Sequence, residues 1–287
     1  MAALAIAPLL AQSQSTELHI RFNSGQAVVP IYEGWERVPD GSFNMVFGYL
    51  NRNHVEELAL GVGPQNGFEP GPADRGQPTY FYPRENHFLF KVNVPKDWDR
   101  KKELVWTVTA NGKTEVARAT LLDVWEIDRK VEVSNNGGVQ ISNDLINKDV
   151  PPVVKIDAIQ HPRAGTPVTI TASVTDDGIP ALSAKPRPQR QLEPSLSGAP
   201  PSPVNVPLPA RPRPVQNSLS VLWQVYRGPA HVTFEPDGYV KVVDGKVEVK
   251  ATFSKAGTYT IRAFGHDTLL RSPTDVTVVV DGAMSTP

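Results

Sequence analysis

Hydrophobic and polar residues alternate along most of this chain with a period of two. The alternating segments are rich in Val, Ile, Thr, Phe and Tyr, and Gly, Pro, Asn and Asp separate them. This pattern predicts short β-strands. The predicted strands are TELHIRF, FNMVFGYL, HFLFKVNV, ELVWTVT, TEVARATL, PVVKIDAI, PVTITASV, SVLWQVY, KVEVKATF, TYTIRAF and TDVTVVV. No long segment of the sequence has helical periodicity, so we expect an all-β chain that is almost free of helix.

The number and spacing of these strands indicate two tandem β-sandwich domains, because many short strands with turns between them pack as two facing sheets. The predicted organisation is a signal-like or disordered segment at 1–15, a first domain at 16–122, a linker at 123–152, a second domain at 153–280 and a tail at 281–287. We expect the linker to be extended, with some strand pairing of its own. The clearest hairpin is WTVTANGKTEVARATL, where Asn111 and Gly112 supply the positive φ angles of a two-residue turn.

A proline-rich insertion at residues 181–216 interrupts the second domain. It follows the strand PVTITASV and precedes SVLWQVY, so it is a loop insertion and not a domain boundary. Proline lacks an amide hydrogen and favours the polyproline II conformation, and we therefore expect this segment to be extended or disordered. Its basic residues are candidates for binding a protein partner or a neighbouring subunit: Arg187, Arg190, Arg211 and Arg213.

The second domain resembles the immunoglobulin-like and PKD-like β-sandwich modules of exported bacterial proteins. The resemblance rests on LWQVY with Trp223, on RGPAHVTFEP, on ATFSKAGTYTIRAFGHD and on DVTVVV. It implies that Trp223 is a buried core tryptophan and that Tyr259 forms a corner, where its hydroxyl donates to the backbone just upstream. Gly257 would relieve the tight turn before that strand.

Where cysteines bridge the two sheets of immunoglobulin domains, this chain has Ile261 and, on the second strand, Ile170 or Ala172. The resemblance thus implies a sandwich held without a disulfide. The first domain is more loosely similar to exported bacterial proteins with sandwich domains, through GYLNRN, GPADRGQPTYFYPRENHFLFKVNVP and LVWTVTANGKTEVARATL. Neither resemblance implies an activity.

Charge and the N-terminal sequence narrow the possible partners and the location. The net charge is −1, and nucleic-acid binding would favour a clustered basic face. No apolar run reaches the roughly 18 residues that a membrane span requires. The segment MAALAIAPLLAQSQS resembles the apolar region and cleavage zone of a secretory signal. We therefore expect an exported protein of the periplasm, the cell surface or the extracellular space, with no nucleic-acid partner and no membrane span.

Three carboxylates are candidates for a calcium site. Asp176 and Asp177 follow the second strand of the second domain and Asp267 follows its sixth strand. Those two loops lie at the same end of an immunoglobulin sandwich, and Ca²⁺ takes several carboxylate oxygens. The alternative, which we favour, is that Asp-Asp-Gly forms a turn in which each Asp accepts from its own backbone. We expect weak calcium binding at most and no other cofactor.

Aromatic residues near turns in the first domain are a second candidate site. Trp35, Tyr80 and Tyr82 lie beside charged residues, and exposed aromatics there would form a patch for stacking a sugar or binding a protein. The alternative is that alternate members, such as Phe81, face the core while the others cover its rim.

The sequence does not indicate an enzyme. The histidines do not have zinc-ligand spacing, no G-x-S-x-G elbow occurs, and the glycine clusters do not match a phosphate loop. We expect a non-enzymatic binding, adhesion or assembly protein of the bacterial envelope that acts through protein contacts. The alternatives are a carbohydrate-binding or accessory module for a secreted hydrolase, and a small hydrolase with an unrecognised site.

Overall fold

The computed structural model describes residues 22–135, 143–180, 214–215 and 218–283. Within these ranges the chain forms sixteen β-strands in antiparallel sheets, one 3-10 turn and two short helices. The all-β prediction is confirmed. The segment 1–15 and Arg187, Arg190, Arg211 and Arg213 lie outside the described residues, as does the insertion 181–216 apart from residues 214–215.

The first eight strands form the N-terminal sheets. They are β1 (Val28–Arg37), β2 (Phe43–Asn51), β3 (Leu58–Ala59), β4 (Asn66–Glu69), β5 (Tyr80–Phe81), β6 (Arg84–Val94), β7 (Leu104–Ala110) and β8 (Lys113–Ala119). Two three-stranded sheets have the orders β1–β2–β6 and β4–β7–β8, and β3 pairs with β5. The buried centre is aromatic: the rings of Phe47, Phe68, Phe90 and Trp106 pack against one another.

The remaining eight strands form the C-terminal sheets. They are β9 (Val153–Ile156), β10 (Val168–Thr175), β11 (Ser220–Arg227), β12 (Val232–Glu235), β13 (Tyr239–Lys241), β14 (Lys246–Phe253), β15 (Gly257–His266) and β16 (Arg271–Val280). One sheet has the order β12–β14–β10–β9 and the other β13–β11–β15–β16. Trp223 on β11 and Tyr259 on β15 are both buried in the core of these sheets, as the resemblance implies.

The segment between the two sets of sheets is not the extended linker that we predicted. It contains a 3-10 turn at Asp123–Trp125 and two helices, α1 (Arg129–Asn135) and α2 (Asn143–Lys148). The helices are stabilised by a small separate core, in which Val133 and Ile146 pack against Leu269 and Leu270 from the loop between β15 and β16. Helices of this length need such packing, because one or two turns are not stable alone.

The N- and C-terminal sheets share buried side chains. Leu222 and Tyr226 of β11 and Phe264 of β15 belong to the apolar cluster of the N-terminal sheets. Tyr80 of β5 belongs in turn to the cluster of the C-terminal sheets. The junction is therefore a packed interface and not a pair of sandwiches joined only through a linker.

Candidate functional site

The centre of the junction is the guanidinium of Arg262. This residue of β15 is 8% exposed, and its Nε and Nη2 donate to both carboxylate oxygens of Asp275 at 2.7 and 2.8 Å. Its Nη1 donates to the carbonyl of Leu89 in β6 at 2.8 Å, and its Cζ lies 3.4 Å from the centroid of the Tyr226 ring. A buried cation with this many partners fixes the orientation of β15 relative to β6.

A second group of polar contacts joins β11 to the loop before β5. Arg227 donates to both carboxylate oxygens of Asp74 at 2.9 and 2.7 Å, and this hydrogen bonding lowers the pKa of Asp74. The amide of Val225 donates to the Tyr82 hydroxyl at 3.0 Å. The amide of Thr79 donates to the Tyr226 carbonyl at 3.0 Å. These bonds join the β11 strand to the N-terminal sheets.

A third contact crosses the junction through Glu57. Its carboxylate accepts from the hydroxyl of Tyr80 at 2.5 Å and lies 2.7 Å from Nδ1 of His231, which precedes β12. Burial and the neighbouring Glu57 raise the pKa of Tyr80, so its phenol remains protonated. We assign this group a structural role, because a neutral phenol hydrogen-bonded to a carboxylate is a donor and not a nucleophile.

A cleft of about 1070 Å³ opens between the N-terminal sheets, the linker and the C-terminal sheets. Its apolar lining includes Phe88, Leu89, Phe90, Ile127, Phe264 and Leu270. Four ion pairs lie along its walls, namely Arg37–Glu126, Lys91–Glu36, Arg227–Asp74 and Arg262–Asp275. The cleft is therefore lined by apolar side chains together with paired charges of both signs.

An apolar projection precedes the cleft-lining residues Glu126 and Ile127 along the chain. Leu122, Val124 and Trp125 are 43%, 83% and 45% exposed, and we call these three residues the apolar knob. Exposed single hydrophobic residues are common on proteins, but a group of them on one short turn is typical of an interaction site.

The apolar knob is held by strand β1. Nε1 of Trp35 donates to the carbonyl of Leu122 at 2.9 Å, and the amide of Ile127 donates to the carbonyl of Trp35 at 2.9 Å. Gly34 allows this close approach: a Cβ at Gly34 would lie 2.6 Å from the Trp125 carbonyl oxygen, and its φ is +129°. The turn is thus fixed by hydrogen bonds to strand β1.

Two arginines surround the base of the apolar knob. Arg37 pairs with Glu126 at 2.7 Å, and Arg100 pairs with Asp123. The Cζ atoms of Arg37 and Arg100 lie 5.2 and 5.1 Å from the Trp35 ring centroid. The result is an apolar centre with charged residues around it, which is the usual composition of a protein interface.

The predicted aromatic patch does not form an exposed surface. Trp35 is 0% exposed and Tyr80 is 4% exposed, because the arginines and the junction cover them. Tyr82 is half-buried, and its hydroxyl accepts a hydrogen bond from the amide of Val225. Trp125 is an exposed aromatic residue that the sequence analysis missed, and its ring packs on Tyr32 with centroids 5.5 Å apart. Trp125 lies in the predicted linker, in VWEIDRK, where hydrophobic and polar residues do not alternate and so give no sign of an exposed site.

The three candidate calcium ligands occupy one end of the C-terminal sheets. Asp176 and Asp177 each accept a backbone amide two residues on, from Gly178 and Ile179 respectively, as in the turn interpretation. Asp267 is 0% exposed and accepts the amides of Leu269 and Leu270.

Burial raises the pKa of Asp267 to about 6, and the charge of Asp176 adds to this rise. Burial also lowers the pKa of the neighbouring His266 to about 4, so this imidazole is neutral and accepts the amide of Thr268.

A fourth carboxylate, Asp149, lies beside these three. It follows α2 in the linker and is 0% exposed. Burial raises its pKa to about 7, with further contributions from Asp267, Asp177 and Asp176. Sequence analysis missed it because nothing in NKDVPP places a linker residue against the loops after β10 and β15. In the described parts of the chain, no three His, Cys, Asp or Glu side chains already enclose a metal position.

Comparisons with known proteins identify no family. No protein-family model matches the chain, and no curated protein matches it.

In the ranges that the structure describes, no helix has the length and apolar character needed to cross a membrane.

Solved structures of S-layer proteins overlap the chain weakly. Domains 4 and 5 of the S-layer protein SbsC match at 11% identity and a TM-score of 0.26, over 63% of this chain and 65% of that one. A structure of SbsC domains 1–6 matches at 9% identity and a TM-score of 0.27, over 91% of this chain and 28% of that one. A third SbsC structure matches at 10% identity and 0.26, over 87% and 24%. Likenesses this weak carry no argument about this chain.

Proposed function

We propose that this chain is an exported, non-enzymatic assembly protein of the bacterial envelope, and that the apolar knob contacts a second copy of the chain. The observation that carries the proposal is the exposure of Val124 and Trp125 on a turn that the Trp35 side chain holds in place. The signal-like sequence at 1–15 supports export.

Rigidity supports an interaction role for the apolar knob. A mobile loop loses backbone conformational entropy when it binds, whereas a turn that is already fixed loses less. The bonds from Trp35 and the close approach at Gly34 fix the turn before any partner arrives. Burial of Trp125 and Val124 in a partner would then contribute most of its apolar transfer free energy to association.

The charges around the apolar knob support a second copy as the partner. The pairs Arg37–Glu126 and Arg100–Asp123 place both signs on the same rim. A surface with both signs can face itself in a symmetric dimer without like-charge repulsion. The net charge of −1 adds little repulsion between copies.

The test is self-association of the full chain, measured by sedimentation velocity over a range of protein concentrations. The variants Val124→Glu and Trp125→Ser should raise the concentration of half-association by about tenfold or more, as loss of a central apolar contact does. Val243→Glu is the matched control, because Val243 is 60% exposed on the C-terminal sheets and far from the knob in sequence. It should associate as the parent does.

Two results would contradict the proposal. One is a parent chain that stays monomeric at all concentrations reached. The other is an equal weakening by Val124→Glu and Val243→Glu, which would show that any added surface charge opposes association.

A further inference from the structure

The apolar knob and the cleft are neighbours on the surface of the chain. The knob is followed directly by Glu126 and Ile127, and both of these residues line the cleft. Arg37 also lines the cleft, and its Cζ lies 5.2 Å from the ring centroid of Trp35, the residue that holds the knob. A convex apolar group and a concave apolar surface therefore share a border, and a single contact between two copies can involve both.

The cleft has the size and the lining to take apolar side chains. Its volume is about 1070 Å³, whereas pockets that bury a drug-sized ligand measure roughly 300–1,000 Å³. Strands β6 and β15 contribute Leu89, Phe90 and Phe264 to its lining. Tryptophan is the residue most enriched in the central contacts of protein interfaces, where it fills a pocket of the partner. The exposed Trp125 of a second copy fits this cleft by chemistry and by size.

The charges along the linker favour a second copy as the occupant. The knob carries Asp123, whose side chain is 86% exposed beside its pair with Arg100. The cleft wall carries Arg129, an exposed residue at the start of α1. When two copies face each other across a two-fold axis at the linker, their linker segments run in opposite directions. Asp123 of one copy then approaches Arg129 of the other, and opposite charges meet.

We propose that the apolar knob of each copy enters the cleft of the other, so that the two copies form a closed dimer with two identical knob–cleft contacts. The inference rests on the proposed function, because it names the surface that the knob contacts. In a two-fold dimer, a residue i that contacts j is matched by a residue j that contacts i. A knob and a cleft that share a border meet this condition around one axis, and the assembly ends at two copies.

The first test is sedimentation velocity of the full chain with the cleft filled. Thr260→Trp places an indole in the cleft, because Thr260 is a half-buried residue of β15 that lines it. This variant should raise the concentration of half-association by about tenfold, as Trp125→Ser does. Thr258→Trp is the matched control, since Thr258 is exposed on the same strand and lies outside the cleft lining. It should associate as the parent does.

A second cleft variant leaves the strands untouched. Arg129→Gln removes the charge that faces Asp123 and retains a side-chain donor for the carbonyl of Asp149. It should raise the concentration of half-association by about threefold, because a rim charge contributes less than a buried aromatic residue. Lys130→Gln, at the next exposed position of α1 and outside the cleft lining, is its matched control.

Mixing two variants distinguishes a reciprocal dimer from contact between two knobs. Trp125→Ser keeps an intact cleft and Thr260→Trp keeps an intact knob, so a mixed dimer retains one of the two contacts. If the contacts are equal, a tenfold loss for each variant alone becomes about a threefold loss for the mixed pair. With one variant labelled, the mixed dimer should form at a concentration about threefold below that at which either variant pairs with itself.

The inference is overturned if Trp125→Ser weakens association while Thr260→Trp and Arg129→Gln do not. The proposed function would then stand, and the knob would contact another surface. It is also overturned if the mixture associates no better than either variant alone, or if the parent continues past the dimer to larger species. If Trp125→Ser associates as the parent does, the proposed function fails and this inference fails with it.

Discussion

The sequence predicted the positions of single residues best in the C-terminal sheets. The hydroxyl of Tyr259 donates to the carbonyl of Lys255, four residues upstream, at 2.8 Å, as the resemblance to immunoglobulin domains implied. The ring lies against Gly228, where a Cβ would come within 2.4 Å of it. Ile261, Ile170 and Ala172, which the resemblance put forward in place of the inter-sheet cysteines, are all buried. Local patterns sufficed here because each residue's role is set by its own strand.

Trp223→Ala should destabilise the protein by about 3–5 kcal/mol, because it empties a large aromatic site in the core of the C-terminal sheets. Tyr259→Phe should cost only about 1 kcal/mol, since it removes one hydrogen bond and leaves the ring in place. Denaturant unfolding of both variants measures the two effects. A cost for Trp223→Ala within about 1 kcal/mol of zero would show that this tryptophan does not support the core.

The residues that the sequence misjudged depend on distant parts of the chain. Trp35 has a turn and charged residues beside it, which favoured an exposed position, yet Arg37 and Arg100 lie over its ring. Tyr80 is covered by β11, about 140 residues further along the chain. The local sequence pattern around a residue does not show that a strand so far along the chain will cover it.

At the scale of elements, strands were predicted better than helices. The hairpin of β7 and β8 has φ angles of +52° at Asn111 and +72° at Gly112, which confirms the two-residue turn. Strand β1 was missed because Pro30 and Gly34 interrupt its alternation, and Gly34 marks a register shift against β2. The helices α1 and α2 were missed because seven and six residues are too short to show a helical period.

Ile146→Ala should release the linker helices from the loop between β15 and β16, because Ile146 is 3% exposed in their small shared core. We expect a loss of about 2–4 kcal/mol in the local opening free energy of α1 and α2, with the sheets unaffected. Hydrogen exchange resolved by peptide would measure it. Val131→Ala, at a 36% exposed position of α1, is the control. Faster exchange throughout the sheets would contradict a local role for this core.

Gly34→Ala should displace the apolar knob, because the new Cβ would meet the Trp125 carbonyl oxygen at 2.6 Å and the backbone at φ +129° is strained for alanine. We expect a cost of about 1–3 kcal/mol, together with weaker self-association. Gly61→Ala is the control, since nothing lies within 4 Å of a Cβ there. If Gly34→Ala destabilises the fold but leaves association unchanged, the position of the knob is not important for contact between copies.

At the scale of the whole molecule, the sequence indicated two sets of strands but not how they are joined. Alternation identifies which face of a strand is buried and does not identify what buries it. The guanidinium of Arg262 donates to Asp275 and to the carbonyl of Leu89. In the sequence, Arg262 is only one of the polar positions of an alternating strand. The apolar knob and Asp149 were likewise assigned to a linker. Both places depend on contacts between the linker and distant strands or loops, namely β1 for the apolar knob and the loop after β10 for the segment that carries Asp149.

Arg262→Ala should uncouple the N- and C-terminal sheets. It removes a bidentate ion pair between the buried guanidinium and Asp275, whose side chain is 39% exposed, together with a bond across the junction, and we expect a loss of about 2–3 kcal/mol. The parent should unfold in one cooperative transition, and the variant in two. Arg118→Ala, which breaks a surface pair with Glu103, should cost less than about 1 kcal/mol. Two separate transitions in the parent would show that the junction does not couple the sheets.

Hydrogen–deuterium exchange of the full chain, compared between dilute monomeric and concentrated associated samples, tests assembly through the apolar knob most directly. The account predicts that association slows exchange in residues 122–127 and along the neighbouring mouth of the cleft, and that Val124→Glu abolishes this protection. Protection confined to other surfaces, such as the edge strand β16, or no change between the samples, would contradict it.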